Sequence, residues 1–120
     1  MNIEEFRAYC LSFPGVTEEF PFDENTLVFK VMGKMFALVD VDDFESINLK
    51  CEPEKAVTLR EQYAAVMPGY HMHKKHWNTV LTNGGIKDAL MKEWIRDSYY
   101  LVVAGLTKKL QAELSGLSKA

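Results

Sequence analysis

The chain has 120 residues, of which 48% are hydrophobic and 26% are charged. These values are ordinary for a globular protein, and the length favours one domain over residues 1–120. No apolar run approaches the roughly 20 residues that span a bilayer, and the acidic N-terminal segment lacks the pattern of a signal peptide. We therefore expect a cytoplasmic protein, a monomer or weak dimer, that does not associate with membranes.

The charge is unevenly distributed along the chain. The net charge is −3 with a pI near 5.6, which argues mildly against a general nucleic-acid binder. Residues 1–49 contain ten acidic and three basic side chains, whereas residues 50–120 contain seven acidic and eleven basic ones. Such asymmetry can let one surface meet a polyanion while another repels it.

An amphipathic helix is predicted at the N-terminus. Asn2 is a suitable N-cap with Glu5 as its capping-box partner, and Pro14 and Gly15 end the helix. Helical spacing places four apolar residues on one stripe: Ile3, Phe6, Cys10 and Phe13.

A block of strands follows this helix. Alternating apolar residues predict strands at 17–22, 26–31, 35–41 and 47–51. Between the second and third strands, Gly33 predicts a tight reversal because glycine readily adopts the positive φ of short hairpin turns.

Helices dominate the rest of the chain. Pro53 predicts the first turn of a second helix that ends near Gln62, and a turn at 67–70 precedes a strand at 77–82. A long helix is predicted at 87–104 with Gly105 after it, then a short helix capped by Thr107 and a fraying tail at 115–120. Grouped strands between helices predict an α+β fold, a two-layer sandwich whose antiparallel sheet has helices packed on one face.

The segment "GYHMHKKHWNTV", residues 69–80, contains all three histidines of the chain. On a strand His71 and His73 would share a face and His76 would point the other way, and the two intervening lysines would repel a cation. No acidic residue lies between Glu61 and Asp88 to complete a ligand set. We expect no metal and no cofactor here.

Two other kinds of site are also disfavoured. The acidic stretch at 40–45 lacks the central glycine and terminal glutamate of a calcium loop and is typical of a solvated connection. Cys10 and Cys51 form no CxxC pair and lie on predicted core faces, and the recognised nucleophile and phosphate-binding motifs are absent from the sequence. We therefore expect no enzymatic activity.

Nucleic-acid binding and protein binding remain as alternatives. Trp77 directly follows Lys74, Lys75 and His76. This segment therefore combines positive charge that can neutralise phosphates with an aromatic surface on which bases can stack. Asn78 adds hydrogen-bonding capacity. The opposing interpretation is that Trp77 belongs to the core, that the lysines are merely solvated, and that the protein is an interaction module.

Three stretches resemble the MmcQ/YjbR family of small bacterial proteins: "FPGVTEEFPFDENTLVFKVMGKMFALV" (13–39), "PGYHMHKKHWNTV" (68–80) and "DSYYLVVAGLTKKL" (97–110). The resemblance implies a fold like that of CyaY and frataxin, and a double-wing mode of DNA binding in which hairpins project towards the duplex. His73 departs from the family pattern, which has Asn there, and Thr107 stands where the family tends to have Pro. The frataxin-like fold also raises iron handling by exposed acidic residues as a rival: Glu4, Glu5, Glu18 and Glu19.

The combined expectation is a DNA-binding protein that contacts duplex phosphates. Lys74 and Lys75 supply the charge and Lys34 comes from a hairpin wing. His76 and Trp77 orient the segment or pack beneath it, and Asn78 completes the set. The alternative is a non-enzymatic module that binds a protein partner with its exposed sheet face.

Overall fold

The computed structural model describes residues 1–69 and 72–118. Of Ser118 it describes only the backbone. Among them are four helices and six strands that form one antiparallel sheet in the order β1-β2-β3-β4-β6-β5. The helices are α1 (Ile3–Leu11), α2 (Pro53–Gln62), α3 (Asp88–Ala104) and α4 (Lys108–Ser118). The strands are β1 (Val16–Glu19), β2 (Thr26–Val31), β3 (Lys34–Asp40), β4 (Ser46–Lys50), β5 (Val66–Pro68) and β6 (Trp77–Leu81).

The predicted α+β sandwich is confirmed, with the main core between the sheet and the helices. Alternation along β2 sends Leu27, Phe29 and Val31 towards the helices and Val28 towards the opposite face. Phe6 of α1 meets Phe29 edge to face at 5.6 Å. Each large apolar side chain buried in this way contributes roughly 1.5–3 kcal/mol.

The Ser98 side chain of α3 forms hydrogen bonds with two backbone groups of the sheet. The pairing of β2 with β3 shifts at Phe29–Lys30, where Phe36 is the extra residue of a β-bulge. The fully buried Ser98 hydroxyl donates to the Phe36 carbonyl at 2.5 Å and accepts from the Lys50 N–H at 2.9 Å. It therefore satisfies two backbone groups between β3 and β4 and fixes the long helix to the sheet.

The reversal predicted between β2 and β3 is confirmed. Its two central residues, Met32 and Gly33, have φ of 49° and 84°, the positive values of a type I′ hairpin turn. Such a turn matches the twist of the flanking strands and makes this connection a short, stiff loop. The N-cap prediction is confirmed as well, since the Asn2 side chain accepts from the Glu5 N–H at 2.8 Å.

Several element bounds differ from those predicted. The first strand ends at Glu19, before Pro21, because proline cannot donate to the ladder. The predicted turn at 67–70 begins as the edge strand β5, paired only with β6, where the missing N–H of Pro68 is tolerated. The last helix extends to Ser118, so it includes residues 115–118 of the tail predicted to fray, and residues 119–120 lie outside the described residues. No helix in the described ranges is both long and apolar enough to cross a membrane.

Candidate functional site

Because the strands are antiparallel, each connection leaves the sheet at one of its two ends. The pairs Val31 with Lys34, Lys50 with Trp77, and Pro68 with Asn78 lie at one end. The hairpin turn at 32–33 and the connection from β5 to β6 therefore emerge on the same side of the molecule. We call this side the basic end, since the exposed residues Lys34, Lys74 and Lys75 lie on it.

The two predicted DNA-binding segments are close neighbours at this end. Only β4 lies between β3, which begins at Lys34, and β6, which begins at Trp77. Two strand spacings of about 4.8 Å place the starts of these strands roughly 10 Å apart. The structure thus brings together Lys34 and the lysine pair, which are distant in the sequence.

The lysines lie in a compact turn, residues 72–76, which we call the basic turn. His76 and Trp77 both donate their N–H groups to the His73 carbonyl, at 2.9 and 3.0 Å. The His76 carbonyl accepts from the Cys51 N–H at 2.7 Å, which joins the turn to the end of β4. These bonds fix the backbone, while the side chains of Lys74 and Lys75 stay exposed.

Arg60 of α2 anchors the basic turn from below. Its guanidinium donates to the Asn78 Oδ1 through Nε at 2.7 Å and to the Lys74 carbonyl through Nη2. The Asn78 amide in turn donates to the Ala56 carbonyl at 3.4 Å. Arg60 therefore ties together the turn, β6 and the helix. Sequence reasoning missed this residue, because nothing in the local pattern of α2 indicates its distant partners.

The structure does not agree with the prediction that the Asn78 and Trp77 side chains contact DNA. Their exposures are 3% and 6%, so neither side chain is available to a duplex. Asn78 is occupied by Arg60 and Ala56, while Trp77 packs against Val28 and Leu38 on the sheet face away from the helices. Both support the basic turn, and for Trp77 this is the packing role considered alongside contact. His76 is partly exposed beside them.

The histidines and glutamates do not form a metal-binding arrangement within the described ranges. The rings of His73 and His76 lie 4.9 Å apart in the turn, and His71 lies outside the described residues. Across residues 1–69 and 72–118 there is no group of three potential His, Cys, Asp or Glu ligands. Glu18 pairs with Arg7 and Glu19 with Lys30, which neutralises half of the acidic set considered for iron.

The opposite end of the sheet is acidic. Two of its connections, the strand-to-strand segments 20–25 and 41–45, have turns capped by carboxylates: Asp40 accepts from the Asp42 N–H at 2.9 Å and Asp43 from the Glu45 N–H at 3.1 Å. Asp23 accepts from the N–H groups of residues 25 and 26, and these bonds lower the pKa of its carboxyl. We call this side the acidic end.

The two thiols show no sign of activation. Burial raises the pKa of Cys10, which lies within the core, and raises that of the half-buried Cys51 despite nearby Lys55. A raised pKa keeps a thiol protonated, whereas nucleophilic cysteines have depressed values. Cys51 meets His76 through backbone atoms, and its thiol lines a crevice on the helix side of the sheet.

Comparisons with known proteins agree with this architecture. The model of the YjbR family matches residues 11–101. The chain is 39% identical over 109 residues to "Uncharacterized protein YbdF" of Escherichia coli O157:H7, covering 90% of this chain and 89% of that protein. It is 35% identical over 105 residues to "Uncharacterized protein YjbR" of Escherichia coli strain K12, with coverages of 87% and 83%.

Two solved structures have similar folds. The crystal structure of Deinococcus radiodurans protein DR2400, a DUF419 domain, superimposes with a TM-score of 0.87 at 40% identity, covering 95% of this chain and 88% of that one. The crystal structure of a Pseudomonas syringae protein superimposes with a TM-score of 0.70 at 28% identity, covering 84% and 98%.

Proposed function

The chain belongs to the YjbR family, and on that premise we propose that it is a cytoplasmic, non-enzymatic protein that binds double-stranded DNA. The basic end of the sheet contacts the duplex. Lys74 and Lys75 of the basic turn neutralise phosphates, and Lys34 does so from the hairpin wing.

The observation that supports this proposal most is the convergence of the two wings. Lys34 and the basic turn emerge from one end of the sheet, roughly 10 Å apart by strand spacing. That separation is comparable to the width of the major groove of B-DNA, about 12 Å. Long lysine side chains on two connections spaced in this way can reach phosphates on both sides of a groove or along one strand.

The basic turn has a rigid backbone, which favours a DNA-binding role for its lysines over a role as merely solvated side chains. Arg60, the Cys51 N–H and the His73 carbonyl all hold the turn's backbone. A fixed backbone lowers the entropy lost when the lysines are ordered on a ligand. Pro68 and the turn at 32–33 add further stiffness to the two connections.

The expected binding is weak and independent of sequence. Lysine contacts to phosphates position a protein without reading bases, and Asn78, the side chain best suited to read a base edge, is buried. We therefore expect a dissociation constant on the order of 10⁻⁴ to 10⁻⁶ M at physiological salt.

A duplex titration tests the proposal. Fluorescence anisotropy at about 50 mM salt compares the wild type with Lys74→Gln/Lys75→Gln and with Lys87→Gln/Lys92→Gln. The control pair is also exposed, removes the same net charge, and lies at or near the start of α3, where the Lys92 ammonium stands 5.5 Å from the centroid of the Tyr9 ring. The first variant should lose roughly tenfold or more of the affinity, as expected for two lost phosphate contacts, and the second much less. Equal losses would show that only net charge matters, and no binding by the wild type would overturn the proposal.

The rival is a protein-interaction module that uses the exposed sheet face. The apolar cluster of this face, Val28, Leu38 and Trp77, is itself buried, so a partner would meet the half-buried Met35 and Met72 at its margin. Phe20 and Phe22, in the connection after β1, are 50% and 63% exposed. Partner binding through this face would be insensitive to salt and to the Lys74→Gln/Lys75→Gln substitutions, and would weaken in Phe22→Ser.

A further inference from the structure

A crevice opens between α2 and α3 above the sheet. Both helices cover the same face, but they separate over β4, β5 and β6, leaving a volume of about 350 Å³. This volume lies within the range of roughly 300–1,000 Å³ typical of small-molecule sites. Its walls are mainly apolar and include Leu49, Leu59, Val66, Val80, Trp94 and Leu101.

The crevice is a preformed space in a rigid frame. Leu49, Val66 and Val80 come from three neighbouring strands and are nearly fully buried. Trp94 is held by an edge-to-face contact with Tyr63 at 5.3 Å between ring centroids. Because these walls belong to the core, the space does not require side chains to move before a ligand enters.

Charged groups lie at the mouth of the crevice. The Lys55 Nζ of α2 and the Asp97 Oδ2 of α3 meet at 2.8 Å and join the two helices. Glu52 also lines the mouth. The side chain of Lys50 does not add to this set, since Lys50 pairs with Trp77 and alternates to the opposite sheet face. Among the side chains that line the mouth, two carboxylates and one ammonium group give one excess negative charge.

We propose that this crevice binds a small molecule with an apolar aromatic or cyclic body and a protonated amine. The apolar body would contact Leu59, Val80 and Trp94, and the ammonium group would lie at the mouth beside Glu52 and Asp97. The aromatic ring of Tyr100 also lines the crevice, and aromatic faces attract cations. This binding is separate from the proposed DNA contact, which uses the basic turn and the hairpin wing at the basic end.

The two cysteines provide a direct measurement of occupancy. Cys51 lines the crevice and is half-buried, whereas Cys10 is fully buried in the core. Iodoacetamide should therefore modify Cys51 alone in the folded protein, and Cys10 serves as an internal control for unfolding. A molecule in the crevice would slow the modification of Cys51.

The experiment uses three probes with the same aromatic ring: 2-phenylethylammonium, 2-phenylethanol and 3-phenylpropanoate. Alkylation is followed by mass spectrometry at about pH 8, where a primary alkylamine, like a lysine side chain, remains protonated. We expect saturable protection of Cys51 in the order amine, alcohol, carboxylate, with the amine at least threefold more effective than the carboxylate. No protection by any probe, or equal protection by the carboxylate, would overturn the proposal.

Two variants locate the protection. Asp97→Asn should remove the advantage of the amine over the alcohol. The control Glu113→Gln makes the same acid-to-amide change on the exposed side of α4 and should leave that advantage intact. Leu101→Trp places a larger ring at the rim and should abolish protection by all three probes. Protection that persists in Leu101→Trp with Cys10 still unreactive would place the probes elsewhere and contradict the assignment.

Discussion

The two ends of the sheet are both made of short connections, but they are held in different ways. At the acidic end, Asp23, Asp40 and Asp43 cap turns only two or three residues away. At the basic end, the turn at 72–76 depends on Arg60, which lies at least twelve residues earlier, and on the buried Trp77. The acidic end is therefore held mainly by local caps, to which Thr82 adds bonds to the Phe44 and Glu45 carbonyls, whereas the basic turn adds an anchor from α2 to its own local bonds.

The ends also differ in charge and are well separated. The strands between them have mostly five to seven residues, which span about 20 Å at roughly 3.3 Å per residue. This distance is more than twice the Debye length of about 8 Å at physiological salt. A polyanion at the basic end would therefore feel little repulsion from the acidic end. The residues of the acidic end are Asp23, Glu24, Asp40, Asp42, Asp43 and Glu45.

The largest expected effect comes from removing the tertiary anchor of the basic end. Arg60→Ala deletes charge-assisted bonds and leaves the buried Asn78 Oδ1 without its donor. We expect the free energy of unfolding to fall by about 1–3 kcal/mol. Duplex affinity should fall as well, even though Lys74 and Lys75 remain, because their backbone is released.

Urea denaturation and anisotropy together measure these two effects. Lys55→Ala is the control, since it also removes one cation from α2 but its partner Asp97 stays solvated. The Lys55→Ala substitution should lower the free energy of unfolding by less than about 1 kcal/mol, as is usual when a surface ion pair is removed. An Arg60→Ala protein as stable as the wild type would show that the basic turn does not depend on α2.

A smaller effect is expected from neutralising the acidic end. Asp42→Asn/Glu45→Gln removes two charges that cap no turn, so the local structure is preserved. Because the ends lie farther apart than the Debye length, duplex affinity at about 0.15 M salt should rise by less than twofold. An increase as large as the loss caused by Lys74→Gln/Lys75→Gln would mean that the whole-molecule charge, not the basic end, governs binding.

The smallest effect concerns the pH dependence of the acidic end. Backbone hydrogen bonds lower the pKa of Asp23 in the folded protein, so its stabilising contribution is complete above the pKa of the unfolded chain. That contribution is lost as the pH falls through the lowered folded pKa. NMR titration should give Asp23 a pKa below the ordinary value of about 3.9. An ordinary value would show that the turn does not hold its carboxylate.

Local patterns in the sequence predicted much of the fold. The N-cap at Asn2, the reversal at Gly33 and the helix starting at Pro53 depend on residues close in sequence, and all three are confirmed. The strand β5 was missed because it has three residues, contains Pro68, and depends on its pairing with β6 and on the burial of Val66 in the core. Its pairing partners lie ten or more residues away in the sequence.

The candidate site was predictable only in part, for the same reason. Lys34, Lys74 and Lys75 are evident in the sequence, and the structure places them at one end of the sheet. The buried state of Asn78 was not predictable, since it depends on Arg60 and the Ala56 carbonyl. The acidic end contains six of the ten carboxylates of residues 1–49, whereas the basic turn contains only two of the eleven basic side chains of residues 50–120.

The salt dependence of duplex binding tests the central claim most directly. The logarithm of the binding constant, plotted against the logarithm of salt concentration, has a slope of about −0.9 for each phosphate that the protein neutralises. If the basic turn contacts DNA, Lys74→Gln/Lys75→Gln should reduce the magnitude of this slope by about 2, and Lys87→Gln/Lys92→Gln should leave it unchanged. An unchanged slope in the first variant would contradict the assignment of the basic end as the DNA-binding surface.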